Sequence, residues 1–289
     1  MSLRHRLLAL DMDGTLLDAD KRITDEVRRA LAAYLGQGGL LTIASGRFPA
    51  SVWLHGRELN MNVPLIALNG AVVLDEQSGE QLQGIAMAAD SLLPLIRLAR
   101  ERGAYIHLYG YNELYVERLN EMNARWPLAN VVVLPDGELT ESNYREQANL
   151  IRVIPVGDLA TFVGSGLKPV YKATVISDQP GLIDRLTEEL AEWNVFTLTR
   201  TGRRRFDVNA HSVSKRTALE RLCQERGIKT KEVAAVGDYD NDIDMLQWAG
   251  LGIAMGNAEE RVKQAARVVT DTNRENGVAS AVWHHLINQ

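Results

Sequence analysis

The chain has 289 residues, room for one large domain or two smaller ones, and its 46% hydrophobic and 24% charged content is ordinary for a water-soluble fold. A net charge of −5 offers no basic surface for a nucleic-acid partner, and a single cysteine, Cys223, excludes an intramolecular disulfide. No apolar run reaches the length of a membrane span, and Asp11 cuts short the run behind Arg4-His5-Arg6, so no membrane partner or signal peptide is read and a cytoplasmic protein is expected.

Leu7-Leu8-Ala9-Leu10 has the length and apolarity of a buried strand and runs into Asp11-Met12-Asp13-Gly14-Thr15, two carboxylates spaced i, i+2 before a glycine and a hydroxyl. Thr24, ahead of Asp25-Glu26, is an N-cap for a helix carrying Val27, Leu31, Tyr34 and Leu35, which Gly38-Gly39 ends. Residues 40–44 form a second buried strand leading into Ser45-Gly46-Arg47, and Pro49 opens a helix to about Leu59. Residues 64–68 are a third strand, closed by the turn Asn69-Gly70 before an apolar stretch at 71–74. Strands alternating with helices over short connections predict a parallel sheet.

From about Gly84 the pattern changes. Residues 90–102 have an amphipathic helical period, 105–109 alternate with the period of a strand, and Gly110 and Asn112 mark a turn before a strand at 114–116. Between 117 and 149 only a short helix and a strand at 131–134 are read. A strand at 171–177, a helix at 180–193 and strands at 195–199 and 205–208 follow. This is the pattern of a separate α/β unit with a mainly antiparallel sheet, inserted between two halves of the first domain. That domain resumes with Ser214 capping a helix to Arg226, which Gly227 stops. A buried strand at 233–236 ends in Gly237-Asp238, residues 241–248 are helical, and 251–255 are a strand. Gly256-Asn257 turns into another helix, and a strand at 268–270 and a helix from Val278 finish the chain. The fold class read here is α/β: a doubly wound parallel-sheet core of residues 1–83 and 209–289, with residues 84–208 inserted.

In an open α/β sheet, ligands lie beyond the carboxyl ends of the strands. Four such ends carry polar groups here: Asp11 with Asp13; Ser45; Asn69; and Asp238 with Asn241 and Asp242. Lys215 sits at a helix start behind Ser214. Carboxylates as close as Asp11 and Asp13 repel one another unless a cation joins them or one holds a proton. Carboxylates from two strand ends make an oxygen-rich site for a hard cation, and Mg²⁺ takes a few carboxylates together with water and phosphate. A hydroxyl, an amide and an ammonium beside it form a phosphate cradle. One carboxylate could attack phosphorus; a second could protonate the leaving oxygen and then activate water.

Asp11-Met12-Asp13-Gly14-Thr15 resembles the first motif of the haloacid dehalogenase superfamily of phosphohydrolases. Ser45, Lys215 and Gly237-Asp238-Tyr239-Asp240-Asn241-Asp242 resemble its second, third and fourth motifs, in order. Ala44-Ser45-Gly46-Arg47, Asn69-Gly70-Ala71 and Ala254-Met255-Gly256-Asn257-Ala258 resemble the Cof-type branch, which carries a large C2-type α/β cap between motifs two and three. The resemblance implies a Rossmann-like core with residues 84–208 as the cap. It implies Asp11 as nucleophile, Asp13 as general acid/base, Ser45 on the phosphoryl group and Lys215 bridging that group to Asp11. Mg²⁺ would be held by Asp11, the main-chain carbonyl of Asp13 and Asp238, with Asp242 supporting the metal shell and Asn241 reaching a metal water or the phosphate. Asp13 is expected to have a raised pKa from the acids around it, as its role requires. Two positions depart from the branch: Arg216 stands where glycine is common, and Asn276 where an acid usually precedes Gly277.

Other residues carry two readings. Arg47 is a substrate contact or a solvated loop arginine, and Asn69 a substrate contact or simply part of a turn. Tyr105, His107, Tyr109 and Tyr111 share one strand face, which either packs or roofs the site; Tyr109 is the candidate for substrate contact. Asp207 and Asn209 are further candidates, whereas Arg203-Arg204-Arg205 reads as a solvated face and His284-His285 as structural. No Walker-type loop, nucleophile elbow or zinc-ligand cluster is present in the sequence. The expected protein is a Mg²⁺-dependent phosphomonoesterase acting on small phosphate esters, sugar phosphates first, through an aspartyl-phosphate. A phosphomutase of the same fold and a catalytically silent phosphometabolite-binding regulator are the alternatives.

Overall fold

A computed structural model describes residues 3–127 and 150–287, so the strand read at 131–134 lies outside the described residues. Strand β1 (Leu7–Leu10) is wholly buried: Leu8 and Leu10 enter one apolar cluster, and Leu7 and Ala9 enter another on the opposite face. A strand covered on both faces needs no polar alternation, which is why this run is continuously apolar. Fully burying a leucine contributes roughly 1.5–3 kcal/mol. Helix α1 (Asp25–Gly36) starts where Thr24 Oγ1 accepts the Val27 N–H, and its buried face is Val27, Ala30, Leu31 and Tyr34. Strand β2 (Leu40–Ile43) and helix α2 (Pro49–Glu58) follow.

Strands β3 (Leu65–Ala67), β4 (Val72–Leu74) and β5 (Gln81–Gly84) form a small antiparallel sheet of their own. The sequence pattern places β3 in the parallel sheet. It meets that sheet only through a bridge between Ala44 and Ile66, because the turn at Asn69-Gly70 folds the chain straight back and pairs β3 with β4.

The second large sheet follows helix α3 (Ala89–Glu101). It contains β6 (Tyr105–Tyr109), β7 (Glu113–Val116), β8 (Arg152–Pro155), β9 (Lys172–Ile176), β10 (Phe196–Gly202) and β11 (Arg205–Ala210). Helices α4 (Glu121–Ala124), α5 (Leu159–Gly164) and α6 (Leu182–Trp193) are interspersed. The order is β10-β11-β9-β6-β7-β8, antiparallel except for the β7/β8 pair. Leu92, Ile96, Ile106, Leu108, Val175 and Phe206 form the apolar core on one face of this sheet. The other face carries His107, Tyr109, Lys172, Thr174 and Asp207, all buried.

Helix α7 (Lys215–Arg226) is capped by Ser214 Oγ on the Thr217 N–H and stopped by Gly227 in the left-handed region. Strand β12 (Val233–Gly237), helix α8 (Ile243–Trp248), strand β13 (Leu251–Ala254), helix α9 (Glu260–Ala265), strand β14 (Val268–Val269) and helix α10 (Gly277–Val282) complete the chain. The parallel sheet has the order β14-β13-β12-β1-β2. From β1 the chain adds β2 on one side and later β12, β13 and β14 on the other, so the crevice beyond the carboxyl ends of β1 and β12 is the switch point where such sheets bind ligands. Among the described residues, no helix is long and apolar enough to cross a membrane.

Candidate active site

Leu10 pairs with Val236, and the Asp11 N–H donates to the Val236 carbonyl (3.0 Å), so the ends of β1 and β12 lie side by side. Asp11, Asp238 and Asp242 thereby meet, each offering an oxygen within 4.8 Å of the others. The buried Lys215 ammonium donates to Asp11 Oδ1 (2.5 Å) and Asp242 Oδ1 (2.8 Å). The second oxygen of Asp242 accepts the Asp238 and Tyr239 N–H groups at 3.0 and 3.1 Å. That close approach needs Gly237, where a Cβ would lie 2.4 Å from the Asp242 carboxyl carbon. Thr15 Oγ1 donates to Asp238 (2.8 Å), whose carboxylate rests on Gly14.

Three carboxylates face one ammonium here. Burial and the Asp242 charge push Asp238 up to about 7. Burial also raises Asp11, and Lys215 only partly offsets it. Burial disfavours the Lys215 charge, but Asp11 and Asp242 outweigh it and hold the ammonium above its ordinary range. An excess of buried negative charge on hard oxygen donors is the setting a divalent cation relieves, and the donor set fits one.

Asp13 overturns its expectation. Its carboxylate lies outside the acidic trio, bound by Arg47 Nε and Nη2 at 2.7 Å each and by Lys21 Nζ at 2.5 Å. Burial alone would raise its pKa, but the guanidinium and the ammonium outweigh burial and hold it well below the usual carboxylate range. Two cations, Arg47 from the loop after β2 and Lys21 from further along its own loop, decide this, not the neighbouring acids. Arg47 is buried and also donates to Ser51 Oγ (3.2 Å), while Ser45 Oγ accepts the Arg47 N–H (3.2 Å).

A cleft of about 340 Å³ opens above these groups. Of the residues selected from sequence, Asp11, Asp13, Ser45, Arg47 and Asn69 line it from before α3, and Tyr109, Asp207, Asp238 and Asn241 from beyond it. Lys215, Asp242 and Asn209 lie buried behind its wall. Asn69 Nδ2 donates to Asp207 Oδ2 (3.1 Å) and Asn209 Oδ1 (3.2 Å), and Asn241 Nδ2 donates to Asn69 Oδ1 (3.3 Å). Asn209 Nδ2 donates to the Leu68 and Tyr171 carbonyls at 3.0 and 3.1 Å. Within the aromatic run, Tyr109 reaches the cleft, whereas Tyr111 donates to the Gly79 carbonyl and the Tyr105 hydroxyl accepts from Asn123.

Sequence reasoning missed Lys21, Trp126, Lys172 and Thr201 in the lining, and read Arg205 as part of a solvated run. Arg205 is exposed, as that reading has it, and also lies over the Trp126 ring, 5.4 Å from its centre. A usable signal for Lys172 was its period-two alternation with Thr174 in a strand otherwise apolar. Asn257, read as a turn residue, donates to the Gly14 carbonyl (2.9 Å) and steadies the loop after β1. The two departures leave this geometry alone: Arg216 pairs outward with Glu220 (3.9 Å), and Asn276 accepts from Thr24 (2.7 Å) at the foot of α1.

Carboxylates and a lysine gathered at the switch point of a doubly wound sheet, under a second α/β sheet, define a hydrolytic enzyme of the phosphate-ester class. The model of haloacid dehalogenase-like hydrolases matches residues 8–282, and the chain belongs to that family. It is 30% identical over 288 residues to the putative phosphatase YxeH of Bacillus subtilis, covering 98% of both chains. It is 27% identical over 282 residues to 5-amino-6-(5-phospho-D-ribitylamino)uracil phosphatase YcsE of the same organism, covering 98% of this chain and 96% of that one. A solved haloacid dehalogenase-like hydrolase from B. subtilis superposes with a TM-score of 0.83 at 25% identity, over 97% of this chain and all of the other.

Proposed function

We propose that the protein is a Mg²⁺-dependent phosphomonoesterase of small phosphorylated metabolites, sugar phosphates foremost, working through an aspartyl-phosphate on Asp11. The observation that carries this is Asp11 itself, held at the cleft floor between the Lys215 ammonium and the Asp238 carboxylate, with Ser45 on the same wall. In this reading residues 1–83 and 209–289 are the catalytic core and 84–208 the cap that selects substrate. Support for a polyol or sugar comes from the cap side of the cleft, where Thr201 and Arg205 offer polar groups beside Tyr109 and Trp126. The relative YcsE is named for a phosphorylated ribityl chain, which points the same way.

Asp11, Asp238 and the main-chain carbonyl of Asp13 would hold Mg²⁺, backed by Asp242; bound there, the ion supplies the positive charge that the carboxylates and an incoming phosphate both need. Lys215 and Ser45 orient the phosphoryl group, and an Asp11 oxygen attacks phosphorus as the ester P–O bond breaks. The leaving oxygen takes its proton from Asp13, which becomes able to carry one when substrate displaces Arg47 and Lys21 from it. Asp13 then acts as a carboxylate and takes a proton from the water that hydrolyses the acyl phosphate.

The test is a phosphate-release screen over sugar, nucleotide and cofactor phosphates in Mg²⁺, with Asp11→Asn as the blank. Turnover of sugar phosphates without any bisphosphate activator is expected, and separates a phosphatase from a phosphomutase. Flat, metal-independent activity equal to the blank would refute the mechanism, and tight ligand binding with no turnover would favour a silent regulator.

A further inference from the structure

We propose that Lys172 and Asp207, both on the second sheet, are positioning residues that hold the Ser45-Gly46-Arg47 loop and Asn69 in working geometry. The second sheet would then act on the rate of phosphoryl transfer itself, besides shaping the cleft. The proposal rests on the phosphatase reading above.

Lys172 and Asp207 lie on the adjacent antiparallel strands β9 and β11, two residues apart in register and so on one face, and both are buried. The Lys172 ammonium donates to the Gly46 carbonyl (2.8 Å) and to Asp207 Oδ2 (2.9 Å), and it stands 4.2 Å from the centre of the Tyr109 ring. Its charge is thus engaged by a carbonyl, a carboxylate and a π-face, and the first of these belongs to the loop between Ser45 and Arg47. Asp207 accepts from Lys172, from Thr174 Oγ1 (2.7 Å) and from Asn69 Nδ2 (3.1 Å).

Asn69 relays this anchorage. Its N–H donates to the Ser45 carbonyl (2.9 Å), and the Leu68 N–H donates to the Arg47 carbonyl (3.1 Å). Its side-chain oxygen accepts from Asn241 (3.3 Å) and packs so closely on Gly46 that a Cβ there would lie 2.7 Å away. Leu68 (φ 49°) and Asn69 (φ 60°) are consecutive left-handed residues, neither a glycine. Such a conformation persists only where its surroundings over-determine it. Here the bonds from Asp207 and Asn209 do so, and removing them lets the turn, Ser45 and Arg47 relax together.

The experiment compares Lys172→Met, Asp207→Asn and the double variant Lys172→Met/Asp207→Leu with wild type in Mg²⁺. Substrates are p-nitrophenyl phosphate and one sugar phosphate that the wild type hydrolyses, assayed well below each variant's Tm. Misplacing reacting groups by about 1 Å costs on the order of 100-fold in rate. The expected result is a roughly 10- to 100-fold fall in kcat by a similar factor for both substrates, with KM changed less than threefold. Replacing a buried ion pair by apolar residues usually preserves the fold, so the double variant is expected to stay folded and carry the same loss. A loss confined to the sugar phosphate, or to KM, would make these residues substrate contacts and overturn the proposal, as would a folded double variant with wild-type kcat. Should these variants fail to fold, Thr174→Val, which strips one bond from Asp207, decides: a three- to tenfold fall in kcat supports the proposal and an unchanged kcat overturns it. A wild type inactive on every phosphate ester would instead sink the phosphatase reading.

Discussion

Gly14→Ala offers a direct test of how the acidic cluster is built. Gly14 has φ 82°, and a Cβ there would stand 2.2 Å from Asp238 Oδ2, where real Cβ contacts essentially never fall below 3.0 Å. An alanine forced into the left-handed region costs about 1–2 kcal/mol. The Asp238 carboxylate must retreat by roughly 0.8 Å, which strains its 2.8 Å bond from Thr15, worth about 1 kcal/mol more. Together these predict a loss of about 2–3 kcal/mol, or about 4–12 °C in Tm for a chain of this size. The same retreat moves a carboxylate out of the trio, so the Mg²⁺ concentration for half-maximal phosphate release should rise about 10- to 100-fold. Thr15→Val is the control: it removes the bond without the clash, and should cost about 1 kcal/mol and less than tenfold in Mg²⁺ requirement. Thermal melts and Mg²⁺ titrations of both variants measure the two effects separately. A Gly14→Ala enzyme with the expected stability loss but a wild-type Mg²⁺ requirement would show that Asp238 does not serve the metal.

Four further outcomes follow from the site. Asp11→Asn should abolish turnover yet leave Tm unchanged or higher, because it removes one of three crowded carboxylates; a lower Tm would contradict the charge excess. Lys215→Met leaves those carboxylates without their ammonium and should cost about 3–5 kcal/mol by urea unfolding. Arg47→Met, which removes the buried partner holding Asp13 ionised, should move the pH profile of kcat/KM to higher pH by more than Lys21→Met, which removes a half-exposed partner; equal shifts would mean that burial does not rank the two. His55 and His107 are each pulled down to about 3 by burial, so they stay neutral in the fold while the unfolded chain takes up protons below about 6.5. Their contribution to stability is therefore full above that pH and drains as the pH falls towards 3, by about 2 kcal/mol each at pH 5. His55→Leu should therefore lose about 2 kcal/mol less unfolding free energy than wild type between about pH 7.5 and 5, and an unchanged pH dependence would refute the assignment.

What could be read from sequence was what local chemistry decides. Helix α7 has the bounds that Ser214 and Gly227 dictate, and β1 was visible because both its faces are buried. The acids at the ends of β1 and β12 could be placed together because a parallel sheet leaves them few alternatives. What escaped depends on partners far along the chain. Asp13 looked crowded by acids, yet the arginine that grips it, Arg47, lies 34 residues on. Lys172 gains its meaning only from the order β11-β9-β6, which sets Asp207 and Tyr109 beside it. Strand β8 and helix α5 were not assigned, being short; the flanks of β8 are exposed and α5 has only Leu159 and Val163 buried.

The Tyr109 hydroxyl lies within hydrogen-bonding reach of Trp126 Nε1 (2.8 Å), Thr174 Oγ1 (3.0 Å) and His107 Nε2 (3.1 Å). With its polar end so fully engaged, the residue offers the cleft an aromatic surface and nothing that reads a particular hydroxyl. A wall that selects by outline alone separates ligands differing by one methylene by only about 10- to 200-fold, whereas a dedicated polar partner can reach about 10⁴. In the phosphatase reading, telling apart esters that differ by one hydroxyl therefore falls to Thr201 and Arg205 on the same side of the cleft, and Tyr109 contributes outline alone.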